Sequence, residues 1–220
     1  MAALHSSRYP IEALYVTEAG RALLPQSALA QTILLSEKVM AAISTVENSQ
    51  GLLAICSNKV QTSEAGNDKI FANTNLPLLY CFEVNDPGNL GTIIRTADAL
   101  GAAGVCLSPG SADPFSPKAV RATAGSLWNI PILREMEIHS AIERARANKR
   151  KVYAADGSGV RKLPEVSGAN ALWIFGNEAR GLTKEITVLA DEVVAIPMRG
   201  RAESLNLATA VAITLFHANS

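Results

Sequence analysis

Three short loops carry most of the residue types in this chain that could do chemistry. The first runs from Asn85 to Arg95, the second from Phe175 to Leu182 and the third from Ile196 to Asn206. Each follows an apolar run typical of a buried strand and precedes a run typical of a helix. In open α/β sheets, ligands bind just beyond the carboxyl ends of the strands. The three loops therefore predict one composite site.

In the first loop, Arg95 is a candidate for gripping phosphate or stabilising a developing oxyanion. A guanidinium is always protonated and has no acceptor atom, which suits it to both tasks. Gly88 and Gly91 are expected to allow a tight turn, and Asn89 to cap a helix that starts at Thr92. This numbering places Arg95 on the first helical turn. The alternative, a surface arginine beside an ordinary loop, stays open.

The second and third loops carry the same kind of signal. Gly176 lets a ligand approach the backbone without a Cβ in the way. The third loop places Arg199, Arg201 and Glu203 between two apolar elements, which is an unusually charged insert. The segment from Ser204 to Asn206 begins the last helix. Its polar side chains are equally typical of helix caps, so this interpretation also stays open.

Other nucleotide and catalytic motifs are absent from the sequence. Gly176 and Gly181 have the spacing of a phosphate-binding loop, but Leu182 and Thr183 follow where Lys and Ser/Thr are needed. There is no Gly-x-Gly-x-x-Gly and no Gly-x-Ser-x-Gly. The three histidines are scattered and no metal-ligand spacing occurs, so no metal is expected.

Composition limits the partners. The chain has 220 residues, of which 48% are hydrophobic and 18% charged, and its formal net charge is zero. Proteins that bind nucleic acid usually have a basic excess, so an RNA partner must be held by a local patch. Cys56, Cys81 and Cys106 form no CxxC pair and predict a reducing compartment. No leader or membrane-spanning run is evident, which predicts a soluble cytoplasmic protein without a membrane partner.

The order of apolar runs predicts an α/β fold. Strands are expected at 11–16, 32–35 and 52–56, with a short helix beginning at Ser36, and the polar segment 61–75 is interpreted as a linker. Beyond it, strands apolar on both faces alternate with helices, which predicts a parallel sheet with helices on both faces. The expected strands are 78–84, 105–107, 152–155, 171–175 and 193–196, and the expected helices are 92–100, 116–124, 138–147, 185–190 and 205–217.

Together the three loops resemble the three motifs of the SpoU (TrmH-type) RNA 2′-O-ribose methyltransferases, within the SPOUT superfamily. The motifs occur in the same order across about residues 76–220, and Lys118 to Gly125 resembles the segment between the first two. Residues 1–60 are similar to the C-terminal part of the small RNA substrate-binding domain that precedes the catalytic domain in many members. By this resemblance, we expect the first strand and helix of that domain to be missing, which would make it a truncated, partial domain.

The resemblance implies a C-terminal trefoil knot, a homodimer whose interface helps to form the site, and S-adenosyl-L-methionine as methyl donor. It implies methyl transfer to a ribose 2′-OH of structured RNA. By the same correspondence, the expected catalytic residues are Arg95, Asn89, Glu178, Ser204 and Asn206. The expected cofactor-binding residues are Gly176, Ile196, Leu205, Thr123 and Met198. A basic patch for RNA is expected from Lys118, Arg121, Arg180, Arg199 and Arg201, which fall in loops or helix starts.

Ribosomal RNA is favoured as the substrate because the N-terminal segment resembles that of members acting on ribosomal RNA. A transfer-RNA 2′-O-methyltransferase and a non-catalytic RNA-binding or ribosome-assembly protein with this fold remain alternatives. A nicotinamide-dependent oxidoreductase is a further one, although the glycine fingerprint is absent. For the mechanism, we expect Arg95 to stay charged, because neutralising a guanidinium at pH 7 costs about 7 kcal/mol.

Overall fold

The computed structural model describes residues 2–6, 8–46, 48–57 and 64–220. These residues form two compact units, residues 1–60 and residues 61–220. Within the described residues, none of the helices is both long enough and apolar enough to span a lipid bilayer.

The first unit is a three-stranded sheet with short helices. Strand β1 is central, parallel to β2 and antiparallel to β3. The three predicted strands and the helix start are confirmed, and the Ser36 hydroxyl accepts a hydrogen bond from the Val39 amide at the start of α4. The strands are β1 (Ile11–Val16), β2 (Thr32–Leu34) and β3 (Leu52–Cys56), and the helices are α1 (Ala2–His5), α2 (Glu18–Arg21), α3 (Gln26–Leu29) and α4 (Glu37–Ile43).

The second unit contains a seven-stranded sheet in the order β6-β5-β4-β9-β7-β10-β8, and all of its described ladders are parallel. Single 3-10 turns occur at Ser126–Trp128 and Leu163–Glu165. The strands are β4 (Leu78–Cys81), β5 (Gly104–Leu107), β6 (Ile132–Leu133), β7 (Lys151–Ala155), β8 (Arg161–Lys162), β9 (Ala171–Phe175) and β10 (Glu192–Ala195). The helices are α5 (Glu64–Ala72), α6 (Pro87–Ala99), α7 (Pro117–Ala122), α8 (Ile138–Ala147), α9 (Lys184–Thr187) and α10 (Leu207–Ala218).

Two hydrophobic cores cover the two faces of this sheet. Because side chains alternate along a strand, Trp173 and Phe175 of β9 pack into one core while Leu172 and Ile174 pack into the other. The first core takes in α6 and α10, and the second takes in α5 and α8. The predicted parallel α/β sheet with helices on both faces is therefore confirmed.

The prediction of a polar linker over 61–75 is wrong for residues 64–72, which form α5. Residues 61–63 lie outside the described residues. The helix is held because Ile70 and Phe71 are buried in the second core. The guanidinium of Arg150, only 3% exposed, donates to the carbonyls of Ile70, Phe71 and Leu76 at 2.8–3.1 Å. Local composition is polar, and distant packing decides the helix.

Two predictions around the first loop are also wrong. Strand β4 ends at Cys81 rather than at residue 84, because Glu83 has a left-handed backbone with φ of +50°. Helix α6 begins at Pro87, and its cap is Asp86, whose carboxylate accepts from the Asn89 amide at 2.8 Å. Gly91 therefore lies inside the helix instead of in a turn.

The role of Gly91 is helix packing. A Cβ on it would lie 2.5 Å from the carbonyl oxygen of Ala119 and 2.5 Å from the Cβ of Ala122. These atoms belong to α7, so only glycine lets the two helices approach this closely.

Candidate active site

The three loops meet at the carboxyl edge of the sheet. They follow β4, β9 and β10, and the strand order changes direction between β4 and β9, since β5 and β6 lie on one side and β7, β10 and β8 on the other. This is the place where open α/β sheets form ligand crevices. The three loops therefore lie at the same edge of the sheet, as predicted.

Hydrogen bonds that involve side chains tie the three loops together. The carboxylate of Glu178, in the second loop, accepts from the backbone amides of Asn85 and Asp86, both at 3.2 Å. It also accepts from the side-chain amide of Asn89 at 3.3 Å. The amide of Asn206, in the third loop, donates to Asn89 Oδ1 at 3.1 Å. One chain of contacts thus joins residues that are far apart in sequence.

Asn206 has a second role. Its Oδ1 accepts from the backbone amides of Ala208 and Thr209 at 2.9 and 3.3 Å, so it is the N-cap of α10. Of the two interpretations that the sequence leaves open, the helix cap is confirmed, and the same side chain also contacts Asn89 of the first loop. The cap fixes the amide group so that its nitrogen faces Asn89.

The second loop is a tight turn held by Asn177. Its side-chain Nδ2 donates to the Glu83 carbonyl at 2.7 Å, and its Oδ1 accepts from the backbone amides of Ala179 and Arg180. The backbones of Asn177 and Gly181 exchange two hydrogen bonds at 2.9 and 3.2 Å. A Cβ on Gly176 would lie 2.3 Å from the carbonyl carbon of Gly181, so this position admits only glycine.

A cavity of about 370 Å³ opens beside these loops. Its volume is within the range of small-molecule sites, about 300–1,000 Å³. Apolar side chains form much of it, and the loops add backbone and polar groups. The lining residues are Ala155, Asp156, Gly157, Phe175, Gly176, Asn177, Glu178, Ala179, Arg180, Gly181, Val194, Ile196, Met198, Glu203, Ser204, Leu205, Leu207 and Ala210.

Four of the five expected cofactor residues line the cavity, and one does not. Gly176, Ile196, Leu205 and Met198 line the cavity. Thr123 is fully buried at the end of α7, where its hydroxyl donates to the Val120 carbonyl at 2.7 Å, and it is not part of the lining.

Arg95 lies farther from the loops than predicted. Since α6 begins at Pro87, Arg95 is in the middle of the helix, about 9 Å along the axis from Asn89. Its side chain is exposed, does not line the cavity, and has no hydrogen bond or ion pair with the described residues.

The cations expected to bind RNA divide into two groups. Lys118 pairs with Asp86 at 2.7 Å, and Arg180 pairs with Glu83 at 2.5 Å. The hydrogen bond from Lys118 is the main cause that lowers the pKa of Asp86. Arg121, Arg199 and Arg201 are exposed, and none of them forms an ion pair within the described part of the chain. With Arg95 they are called the unpaired arginines below.

Neither a reactive thiolate nor a set of metal-binding side chains lies near the site within the described ranges. Burial, with the nearby carboxylate of Glu178, raises the pKa of Cys81 to about 12, so its thiol stays protonated at neutral pH. Among the residues that the structure describes, no group of three or more His, Cys, Asp or Glu side chains could hold a metal ion.

Sequence reasoning missed the loop after β7. Asp156 and Gly157 line the cavity, and Asp156 binds its own loop through Ser158. The signal was present, because Asp-Gly-Ser-Gly follows an apolar strand in the same way as the other three loops do.

Comparisons with known proteins agree on one family. Residues 77–216 match the model of the SpoU rRNA Methylase family. A relative in Bacillus subtilis (strain 168), the 23S rRNA (guanosine(2553)-2′-O)-methyltransferase RlmP, is 35% identical over 193 residues, which cover 85% of this chain and 72% of the relative. A 23S rRNA (uridine(2479)-2′-O)-methyltransferase of Streptomyces viridochromogenes is 38% identical over 138 residues, 60% of this chain and 48% of that protein.

Solved structures extend the likeness to almost the whole chain. The SpoU methyltransferase AviRb from Streptomyces viridochromogenes, crystallised in complex with the cofactor AdoMet, superposes with a TM-score of 0.83 at 26% identity, covering 99% of this chain and 85% of that one. An AdoMet-bound rRNA methyltransferase from Sinorhizobium meliloti gives a TM-score of 0.79 at 33% identity, with 96% and 80% covered.

Proposed function

The chain belongs to the SpoU rRNA methylase family, and from this premise we propose that it transfers a methyl group from S-adenosyl-L-methionine to a ribose 2′-OH of ribosomal RNA. The observation that carries the proposal is the contact chain from Asn206 through Asn89 to Glu178. It joins the three loops beside a cavity of suitable size. The relatives named above, which act on 23S rRNA, favour ribosomal over transfer RNA.

The residues present fit the cofactor. Ile196, Met198 and Leu207 offer apolar surface for an adenine ring, and Gly176 and Gly181 add backbone groups to the lining. When bound, S-adenosyl-L-methionine supplies a methyl group already activated on a sulfonium. The chain therefore has mainly to align the ribose hydroxyl with that methyl group and to manage one proton.

Glu178 is a positioning residue in this proposal. Its carboxylate already accepts three hydrogen bonds, two from backbone amides and one from Asn89. A general base must be able to reach the proton that it takes. Glu178 instead holds the first loop against the second, and Asn206 and Ser204 are left to orient the ribose hydroxyl.

Arg95 acts as a charged group in this proposal. It binds the phosphate beside the target ribose and stabilises the oxygen as negative charge develops on it. The bound cofactor would supply the methyl group to the ribose oxygen and leave as the thioether, and water or that phosphate would accept the hydroxyl proton. Deprotonating Arg95 first would cost about 7 kcal/mol, so it does not serve as the base.

The site is completed by a second copy of the chain. Arg95 does not line the cavity of its own chain, so an arginine from a partner protomer can supply this charge. Helix α10, which packs against α6, leaves Phe216 68% exposed and Ile213 38% exposed. An apolar surface of this kind favours burial in an interface. Light scattering that gives the mass of one chain at micromolar concentration would contradict the homodimer.

The trefoil knot and the cellular setting are parts of the same proposal. The resemblance to the family implies the threaded C-terminus, and a crystal structure traced through residues 156–206 tests it. A role for residues 1–60 in RNA binding and a cytoplasmic location are proposed on the family resemblance and accord with a ribosomal RNA substrate.

The experiment is a methyl-transfer assay. Purified protein is incubated with methyl-labelled S-adenosyl-L-methionine and, separately, with ribosomal RNA, ribosomal subunits or transfer RNA. We expect label in ribosomal RNA within a dinucleotide that resists alkaline hydrolysis, because a 2′-O-methyl group blocks cleavage. Label in transfer RNA alone would favour the transfer-RNA alternative.

Two other results distinguish the remaining alternatives. Binding of S-adenosylhomocysteine without transfer to any RNA would favour a non-catalytic RNA-binding protein. A thermal shift with NAD, and none with S-adenosylhomocysteine, would favour an oxidoreductase and overturn the proposal.

A further inference from the structure

Asp156 lies at the carboxyl end of β7 and lines the cavity, yet it belongs to none of the three loops. Its Oδ1 accepts from the backbone amide of Ser158 at 2.9 Å and from the Ser158 hydroxyl at 2.6 Å. These two bonds fix the rotation of the carboxylate. Its Oδ2 has no hydrogen-bond partner among the described residues and lies on the side of Gly181, another lining residue.

From this geometry, we infer that Asp156 binds the ribose diol of the adenosyl cofactor and selects for it. A carboxylate oxygen free to accept is the natural partner of a vicinal diol, and bonds to a charged acceptor are stronger than neutral ones. Dinucleotide-binding folds use an acidic residue in the same way. The inference rests on the proposed function, since it assumes that the cavity holds this cofactor.

The other carboxylates of the cavity do not offer the same acceptor. Glu178 is occupied by its three donors from the first loop. Glu203 is exposed in the loop before α10 and makes no hydrogen bond or ion pair with the part of the chain that the structure describes. Asp156 is the half-buried one, and it is oriented in advance by Ser158.

The expected orientation of the cofactor also indicates that its ribose, and not its amino-acid end, contacts Asp156. The methyl group must face Asn89 and Asn206, which lie on the β4 side of the crevice, whereas β7 lies on the far side of β9. The amino-acid end carries a carboxylate that needs a cation. Among the described lining residues Arg180 is the only cation, and it points to Glu83 at the end of β4. The adenosine end is therefore the part that meets Asp156.

Calorimetric titration of the full-length chain tests the inference without turnover. The ligands are S-adenosylhomocysteine, S-adenosyl-L-methionine, 5′-methylthioadenosine, which lacks the amino acid, and the 2′-deoxy form of methylthioadenosine. We expect Asp156→Asn to weaken the first three equally, by about tenfold, as for the loss of one charged acceptor. The 2′-deoxy ligand should bind the wild type about tenfold more weakly than its parent and should be indifferent to the substitution.

Glu203→Gln is the matched control, because it removes the same charge from the same cavity. Equal weakening by both variants would mean that only the overall potential matters and would overturn the inference. So would a loss confined to S-adenosylhomocysteine and S-adenosyl-L-methionine, which would assign Asp156 to the ammonium group. A larger loss for S-adenosyl-L-methionine than for S-adenosylhomocysteine would assign it to the sulfonium, and no loss would remove it from the site.

Failure of the proposed function gives different results. If the cavity does not hold this cofactor, the wild type binds none of the four ligands, and if the chain is not catalytic, it binds them but transfers no methyl group to RNA. If Asp156→Asn does not melt cooperatively, Ser158→Ala tests the same point, since it loosens the carboxylate without removing it. We expect that variant to weaken methylthioadenosine by about threefold, as for the loss of one neutral hydrogen bond, with no effect on its 2′-deoxy form. The wild-type comparison of those two ligands needs no variant at all.

Discussion

The cavity and the unpaired arginines are built on opposite principles. Beside the cavity, the side chains of Asn177, Glu178 and Asn206 already have partners within the chain. Arg95, Arg121, Arg199 and Arg201 have none among the described residues, and all are exposed. The difference indicates that the cavity is preorganised for a small ligand, while the arginines are left for a polyanion to satisfy.

Arg95 offers the sharpest test of this division. We expect Arg95→Ala to lower kcat by about 100- to 1,000-fold, as for the loss of a transition-state donor. The affinity for S-adenosylhomocysteine, measured by calorimetry, should stay within about twofold of wild type. Arg95→Lys keeps the charge but not the planar fork, and it should still lose at least about tenfold. Near-normal turnover by Arg95→Lys would disprove the need for the fork.

Gly176 tests the second part of the comparison, the preorganised cavity. Gly176→Ala places a Cβ 2.3 Å from the Gly181 carbonyl carbon, so the second loop must shift. We expect about 100-fold weaker binding of S-adenosylhomocysteine, at the upper end of overpacking costs. Gly157→Ala is the control, because a Cβ at that position of the same cavity meets nothing within 4 Å. If both variants bind as the wild type does, the cavity is not the cofactor site.

Arg121 gives the smallest expected effect. Arg121→Ala should weaken RNA binding by a few-fold and reduce the slope of log affinity against log salt by about 0.7–1, the value for one lost phosphate contact. Binding of S-adenosylhomocysteine should not change. Lys118→Ala is the comparison, and it should change the slope less because Lys118 is already paired with Asp86. Equal slopes for both variants would show that pairing within the chain does not decide which cations bind RNA.

The sequence predicted best where local pattern and tertiary packing agree. Strand β9 and helix α8 have the predicted bounds, since their apolar residues repeat at strand and helix spacing. The convergence of the three loops was also predictable, because the carboxyl ends of parallel strands lie at the same edge of the sheet. Strands β6 and β8 have two residues each and exist only through pairing with their neighbours, so no local pattern indicates them.

Other features of the site depend on local hydrogen-bond geometry that residue types alone do not reveal. The start of α6 was missed because the Asp86 cap precedes a proline and a glycine, which look locally like a turn. That shift moved Arg95 from the first turn to the middle of the helix. The free oxygen of Asp156 was not foreseeable either, since it depends on how the Ser158 turn rotates the carboxylate.

The double duty of Asn206 links recognition to the order of the chain's end. One oxygen starts the final helix while the nitrogen of the same amide grips Asn89, so the two bonds are made or lost together. A ligand that orders the third loop therefore also stabilises the first turn of α10. The rate of hydrogen exchange at the backbone amides of Ala208 and Thr209 is consequently a measure of cofactor occupancy.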